Sequence, residues 1–307
     1  MLRNVVRAPW LRQALAEVQV VDASWHMPAA QRNPRAEFEK ARIPGASFFD
    51  LDACVDESTD LPHMMPDAGK FQEYMAGLGV THDKPIVVYD TVGLFSAARL
   101  WYMLKSVGVE QVAVLDGGLP AWKKAGGDLD SETPATAKKA FFEAKDPSAA
   151  FTDAGRVLGL SDAMSMQEFK AENNTSGYLI DARAKGRFDG VDADPRPKMR
   201  RGHIPFAKNI PFGDLLKDGG EFRSKEEIAV IFSSQGVDVR AVIAGELPLT
   251  FSCGSGVTAC VPLLAAVEFL GVPLSQCVVY DGSWSDWGRE SNSATLPVEV
   301  TADIVKE

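Results

Sequence analysis

The chain has 307 residues, enough for two cores of about 150 residues each, and its 46% hydrophobic and 24% charged content is that of an ordinary globular protein. A formal net charge of −10 argues against a nucleic-acid partner, which needs a basic face, but a few arginines could still hold a small anion. The four cysteines, Cys54, Cys253, Cys260 and Cys277, form no CxxC pair, so neither a disulfide scaffold nor a structural zinc site is expected and a reducing compartment fits.

The chain opens with MLRNVVRAPWLRQALAEVQ, which has arginines and an apolar face in the manner of a mitochondrial presequence. Val18 to Val21, however, reads as the first core strand, and the residues before it as an opening helix. A cytoplasmic location is therefore expected ahead of a mitochondrial one. No apolar run approaches the roughly 20 residues of a membrane span, so no membrane partner is expected.

The chain then repeats itself. Val20-Val21-Asp22-Ala23-Ser24 returns as Leu179-Ile180-Asp181-Ala182-Arg183, 159 residues later. Arg42-Ile43-Pro44-Gly45-Ala46 returns around His203-Ile204-Pro205 at a separation of 161. Pro85 to Asp90 matches Pro248 to Cys253 at 163, and Val114 to Gly118 with Trp122 matches Val279 to Ser283 with Trp287 at 165. Ordered matches with so small a drift indicate a tandem duplication. Each half alternates β-branched runs with helical patterns, the signature of an α/β domain with a mostly parallel sheet flanked by helices.

In the second half, strands are expected to end near Asp181 and Cys253 and to run from Cys277 to Tyr280. Helices are expected over Ser224–Ser233 and Val257–Leu270, with Pro262 kinking the latter by removing a hydrogen bond. Asp128 to Asp146, rich in Ala, Lys, Thr and Pro, begins an exposed linker. The expected division is residues 1–130, a linker at 131–152, a second domain at 153–290, and a tail at 291–307 lying over the surface.

Chemistry concentrates where Leu249-Thr250-Phe251-Ser252 runs into Cys253. Gly254-Ser255-Gly256-Val257-Thr258 follow, and then an apolar helix. Strand, small-residue loop and helix start make an anion cradle: glycines let the chain curl so that successive N–H groups face one point, and the helix terminus adds unpaired donors and positive partial charge. A thiol at its centre is favoured as thiolate, and the same ring would hold an anionic persulfide. The competing reading, an inert core cysteine, loses to the flanking Gly254 and Gly256. In the first half Asp90 takes the place of Cys253, so one active site per chain is expected. Cys260, seven residues on and mostly along one helix, is too far for a disulfide and reads as core. His203, paired in the repeat with Arg42, reads as structural.

On these residues the chain resembles the rhodanese superfamily of tandem-domain type, from about Val20 to Trp287. The octet Cys253 to Cys260 is the most specific element. Asp22-Ala23-Ser24-Trp25, Ile43-Pro44-Gly45-Ala46, Leu115-Asp116-Gly117-Gly118 and Asp281-Gly282-Ser283-Trp284 support it. The resemblance implies two rhodanese-like domains, the first without a nucleophile. It also implies sulfur transfer from 3-mercaptopyruvate through a Cys253 persulfide to a thiol such as thioredoxin or to cyanide, with release of pyruvate. No cofactor or metal is implied, and a monomer is expected. The thiosulfate-using branch tends to carry basic residues after the cysteine; here they are Gly254 and Ser255, as in the mercaptopyruvate branch.

The resemblance further implies that Arg187, in Asp181-Ala182-Arg183-Ala184-Lys185-Gly186-Arg187-Phe188, and Arg196, after Asp194-Pro195, bind the donor. Guanidinium forks suit its carboxylate and ketone oxygens, whereas a surface ion pair is the alternative role. Asp52, His63 and Ser255 are implied to form a relay beside Cys253, with His63 as proton carrier; loop and helix capping are the alternatives for His63 and Asp52. Other activities on this fold are thiosulfate sulfur transfer, cysteine phosphatase chemistry, and simple binding without catalysis. Phosphatases need an arginine six positions after the cysteine, and Ala259 stands there. Asp90 suits a binding role for the first half, but Cys253 counts against it for the whole chain.

Overall fold

The computed structural model describes residues 2–133, 138–170 and 176–301. The chain divides into two compact units: residues 1–58, 65–147 and 216–223 in the first, and residues 59–64, 148–215 and 224–307 in the second. Each half thus lends a short segment to the other's unit. Sequence periodicity carries no sign of this, because such a segment is defined by what it packs against.

The first unit holds strands β1 (Val5–Val6), β2 (Gln19–Asp22), β3 (Ser47–Phe48), β4 (Ile86–Tyr89) and β5 (Val112–Leu115). All pair parallel, in the order β1-β5-β4-β2-β3. The second unit repeats the plan with β6 (Phe151–Thr152), β7 (Tyr178–Asp181), β8 (Lys208–Asn209), β9 (Leu249–Ser252) and β10 (Cys277–Tyr280), ordered β6-β10-β9-β7-β8. The separations of 159, 161, 163 and 165 residues recur as β2 with β7, β3 with β8, β4 with β9 and β5 with β10. The four residues of β4 and of β5 are buried without alternation, as parallel strands covered on both faces must be. Each apolar side chain so enclosed contributes about 1.5–3 kcal/mol. The cores are also twins: Trp122 and Trp287 are both buried, their indole N–H groups donating to Asp128 O (2.8 Å) and Pro297 O (2.6 Å).

Several boundaries differ from expectation. The opening helix spans Ala8–Ala14, but β1 precedes it, a two-residue edge strand too short to leave a pattern. The helix expected over Ser224–Ser233 runs Lys225–Ser234, with Ser224 as N-cap in a capping box with Glu227. The helix after Cys253 begins at Cys260, not Val257, and its α-helical part ends at Ala265, where a π turn over Ala266–Leu270 continues it. Pro262 is therefore the third residue of that helix, in the first turn, where its missing N–H breaks no helical bond. The expected kink is not needed.

The stretch expected as an exposed linker is only partly exposed. Arg42 and Asp130 form a β-bridge and an ion pair at 2.7 Å; Phe142 is 1% exposed, and Ala140 N–H donates to Ala76 O. Its last two residues are β6. Positions 134–137 of that stretch, and 302–307 of the tail, lie outside the described residues. The tail up to 301 packs on the second unit through buried Leu296 and a bridge between His203 and Glu299. Among the described residues no helix is long and apolar enough to cross a membrane.

One pair of twins diverges in the core. Asp181 is buried with Arg183, which meets both carboxylate oxygens and lies 4.1 Å over the Trp284 ring. The position equivalent to Arg183 in the first half is Ser24, so Asp22 has no guanidinium. Its Oδ1 accepts the Ser24 N–H at 2.9 Å, its Oδ2 has no hydrogen-bond partner among the described residues, and burial pushes its carboxyl up to about 6. A carboxyl raised in the folded state adds stability that is fully present below its unfolded value, about 3.9, and is lost as pH rises through the folded value. Asp22→Asn keeps an acceptor for Ser24 and removes the titration. Its stability relative to the parent should therefore rise by roughly 1–3 kcal/mol between pH 4.5 and 8, read from denaturant midpoints across that range. A pH-independent difference would contradict this account.

Candidate functional site

The site lies at the C-terminal end of β9, the usual place for ligands in an open parallel sheet. Cys253 follows Ser252 directly and is 2% exposed. The chain curls through Gly254, Ser255 and Gly256, the last with φ +74°, a value that favours glycine. It then enters the helix at Cys260.

Not all of the loop's amides face an open centre. Ser283, fully buried on the turn after β10, accepts the N–H groups of both Cys253 and Gly256 at 3.1 Å and donates to Tyr280 O at 2.7 Å. The complete ring expected from the sequence is therefore corrected: the Gly256 donor is committed to a hydroxyl. The N–H groups of Ser255, Val257, Thr258 and Ala259 have no acceptor among the described residues. Ser283 stood in the quoted motif Asp281-Gly282-Ser283-Trp284, yet nothing in the sequence pointed its hydroxyl at the loop. The loop is also held from outside, by Trp284 N–H donating to Cys253 O and Ser285 N–H to Gly254 O.

The first unit shows what this loop does with a negative charge. Asp90, at the equivalent position, is buried, and its carboxylate collects five amides. Val92 and Gly93 donate to Oδ1 at 3.0 and 3.1 Å; Phe95, Ser96 and Ala97 donate to Oδ2 at 2.7, 3.0 and 3.0 Å. The counterparts of Val92, Phe95 and Ser96, at the same separation of 163, are Ser255, Thr258 and Ala259, three of the four open donors.

Arg196 lies against the loop. Its Nη1 donates to Gly254 O at 2.9 Å, and Asp194 Oδ1 stands 3.7 Å from the same nitrogen. A Cβ at position 254 would fall 2.5 Å from Arg196 Nη2, so glycine at 254 is what leaves room for the guanidinium. Burial lowers the pKa of Arg196, against the pull of Asp194 and of the Cys253 sulfur. Arg187 sits on the short helix Lys185–Phe188, half-buried, and its charge also reaches Arg196. Arg183 belongs to the ion pair with Asp181 and is enclosed.

His63 belongs to the second unit through the segment Thr59–Met64. Its Nδ1 is 2.9 Å from Ser255 Oγ, and both residues are buried. Asp52 belongs to the first unit, where its carboxylate accepts the Trp25 indole N–H at 3.0 Å. His203, as expected, is structural: its ring stacks on Phe188 at 3.7 Å and its Nδ1 is 2.8 Å from Phe188 O. Cys260 has its thiol directed at Gly256 O, while burial raises the thiols of Cys54 and Cys277 to about 12. Neither of those two is a nucleophile near neutral pH.

The rhodanese-like domain family matches residues 7–125 and 165–290, one match per half. The 3-mercaptopyruvate sulfurtransferase of Escherichia coli K12 is 39% identical over 297 residues, covering 96% of this chain and 97% of that protein. The human 3-mercaptopyruvate sulfurtransferase is 38% identical, covering 93% and 92%. The crystal structure of SseA from Escherichia coli, described as a 3-mercaptopyruvate sulfotransferase of rhodanese fold, superposes with a TM-score of 0.77 at 37% identity, over 92% of this chain and all of that one. With both halves matched, and relatives aligned over nearly their whole length, this chain belongs to the rhodanese family, in its tandem-domain form.

Proposed function

We propose that this chain is a 3-mercaptopyruvate sulfurtransferase, with Cys253 as the sulfur carrier. The observation that carries the reading is the pair of twin loops: one wraps five amides around the Asp90 carboxylate, and the other, with a cysteine at the same position, leaves three of the five equivalent donors open. Donors fixed in place around a developing charge need no reorganisation when it forms.

The Cys253 thiolate attacks the sulfur of 3-mercaptopyruvate. A sulfur–sulfur bond forms, the carbon–sulfur bond breaks, and its electron pair moves onto carbon as the enolate of pyruvate. The donor's thiol proton is delivered to that carbon, so pyruvate leaves and Cys253 keeps an anionic persulfide. Arg187 and Arg196 hold the donor's carboxylate and ketone oxygens. His63 and Ser255, in hydrogen-bond contact, carry the proton. Gly254 to Thr258 line the site, Ser255, Val257 and Thr258 supplying amides and Gly256 the turn. An acceptor thiol, thioredoxin being a suitable one, then attacks the outer sulfur and frees the Cys253 thiolate. The sulfur is both electrophile and cargo, so the sequence needs no cofactor, and a monomer suffices because one chain supplies every group. The loop at Asp90 in the first half carries no nucleophile of its own.

Cys253→Ser should lose pyruvate release from 3-mercaptopyruvate, and mass spectrometry of the parent after incubation with the donor should find one added sulfur on Cys253. Normal turnover by Cys253→Ser would end the proposal.

Thiosulfate is the competing donor, and the crowding at position 254 bears on it. Thiosulfate has no carboxylate beside a ketone for Arg196 to orient, and a dianion gains from a cation next to the sulfur. Gly254→Arg would drive Arg196 from its place and put a cation there. The ratio of kcat/KM for 3-mercaptopyruvate over thiosulfate should fall by roughly tenfold or more; an unchanged ratio would show that position 254 does not set donor choice.

Ser283 should matter through the loop alone. Ser283→Gly suits the backbone, since φ there is +49°, but removes the acceptor of two buried amides. A loss of about 1–3 kcal/mol in stability is expected, together with slower sulfur loading in single-turnover measurements. Loading at the parental rate would show that the two amides need no anchor.

A further inference from the structure

His63 is presented in an unusual way. It has φ +63°, a left-handed conformation that a non-glycine residue keeps only when its surroundings hold it. Its segment, Thr59–Met64, packs with the second unit although the residues before and after it belong to the first. One tie is the contact of His63 with Ser255. Another stands three residues earlier, where both carboxylate oxygens of Asp60 lie 3.0 Å from Arg289 Nη1.

Arg289 is itself anchored to the loop. Its Nε donates to Ser285 O at 2.8 Å. Ser285 in turn donates to Gly254 O from its N–H at 2.8 Å and from its Oγ at 2.7 Å. The carboxylate of Asp60 is thus linked, through one guanidinium and one serine, to the residue beside Cys253. Asp60 is exposed, and its carboxyl is lowered by the hydrogen bond from Arg289. An exposed ion pair contributes little to overall stability, so the fold does not explain why Arg289 reaches across to this segment. Nor does the tail require it, since Arg200 and Trp287 already hold Leu296 and Pro297.

We propose that the Asp60–Arg289 ion pair is a positioning device for His63, pinning the Thr59–Met64 segment to the same scaffold that carries Cys253 so that the imidazole meets Ser255. It rests on the reading of His63 as proton carrier, and it assigns Asp60 and Arg289 a role in turnover without contact to substrate. Release of the pair removes one of the segment's ties, and the share of molecules with imidazole and hydroxyl in register falls.

The test is steady-state kinetics with 3-mercaptopyruvate on Asp60→Asn, Arg289→Gln, the double variant, Arg289→Lys, and the first two again in a His63→Ala background. Each single variant should lower kcat roughly three- to tenfold, with KM little changed and the thermal midpoint retained. The double variant should be no worse than either single one, and Arg289→Lys should recover most of the loss. With His63→Ala already present, neither substitution should lower kcat further. An undiminished loss in that background would overturn the proposal, because the effect would then run through Ser285 and Gly254. So would single variants with parental kcat, or a change confined to KM. Parental kcat in His63→Ala itself would instead sink the proton-carrier reading, and the positioning role with it.

Discussion

The structure turns on main-chain amides gathered around one negative charge at the end of a parallel strand. Such a gathering must be built from backbone, because N–H groups of successive residues can converge only where the chain curls. The curl requires small residues and a left-handed step, which Gly93 supplies at φ +115° and Gly256 at φ +74°. It must also sit at a strand end, where the next helix starts and its first donors are unpaired. Both halves meet these conditions with different sequences, Asp90-Thr91-Val92-Gly93 in one and Cys253-Gly254-Ser255-Gly256 in the other. The central residue then decides the outcome. A carboxylate fills the cradle permanently; a cysteine leaves donors open to an anion that comes and goes.

Legibility in the sequence followed the range of the interactions concerned. The duplication, the parallel sheets and the strand ending at Cys253 were plain, because hydrophobic runs of four residues and their spacing record them. Arg196 was named from a resemblance in a local motif, and its fit against Gly254 adds the steric reason for a glycine there. What stayed hidden depends on contacts between distant parts of the chain. Ser283 is 30 residues from Cys253, and a serine hydroxyl gives no sign in sequence of which amides it will accept. The bond between His63 and Ser255 spans 192 residues; the pairing could be named from the family pattern, but not the anchoring of its segment by Asp60 and Arg289. The helix start was misplaced by three residues because Val257 to Ala259 are apolar or small enough to read as helix. Their amides make no helical hydrogen bond and are without an acceptor among the described residues.

The paired aspartates at the ends of β2 and β7 show how duplication lets one copy drift. Asp181 keeps a buried guanidinium, itself stacked on Trp284 and bonded to Gly202 O, so the ion pair braces the region from which Arg187 and Arg196 extend. Breaking such a buried pair from one side typically costs about 3–5 kcal/mol. In the first half Ser24 replaces the arginine. Its side chain turns to the neighbouring loop, where its Oγ accepts the Thr91 N–H at 3.0 Å, and Asp22 is left buried with a raised carboxyl. On the proposed reading, in which Arg187 and Arg196 hold the donor, the first half has no such segment to brace, and the charge that braced it could be lost.

The identity of the residue at the centre of the idle loop carries a further argument. A cysteine persulfide places a unit negative charge on an atom two bonds beyond Cβ. An aspartate carboxylate shares the same charge over two oxygens, also two bonds beyond Cβ, at a somewhat shorter reach. On the proposed reading, the first half therefore holds a permanent counterpart of the loaded intermediate, with the amides of Phe95, Ser96 and Ala97 on one oxygen and those of Val92 and Gly93 on the other. A neutral side chain at position 90 would leave five inward donors without a partner in a buried site, at a cost of about 1–3 kcal/mol for each donor left unsatisfied. That penalty separates the two halves. The loop fold does not tolerate an empty centre cheaply, so a copy that gives up the nucleophile has to install a fixed anion in its place. A working copy must cover part of its ring by other means between turnovers. Ser283 does so at Gly256, and the donors of Ser255, Thr258 and Ala259 remain for the sulfur.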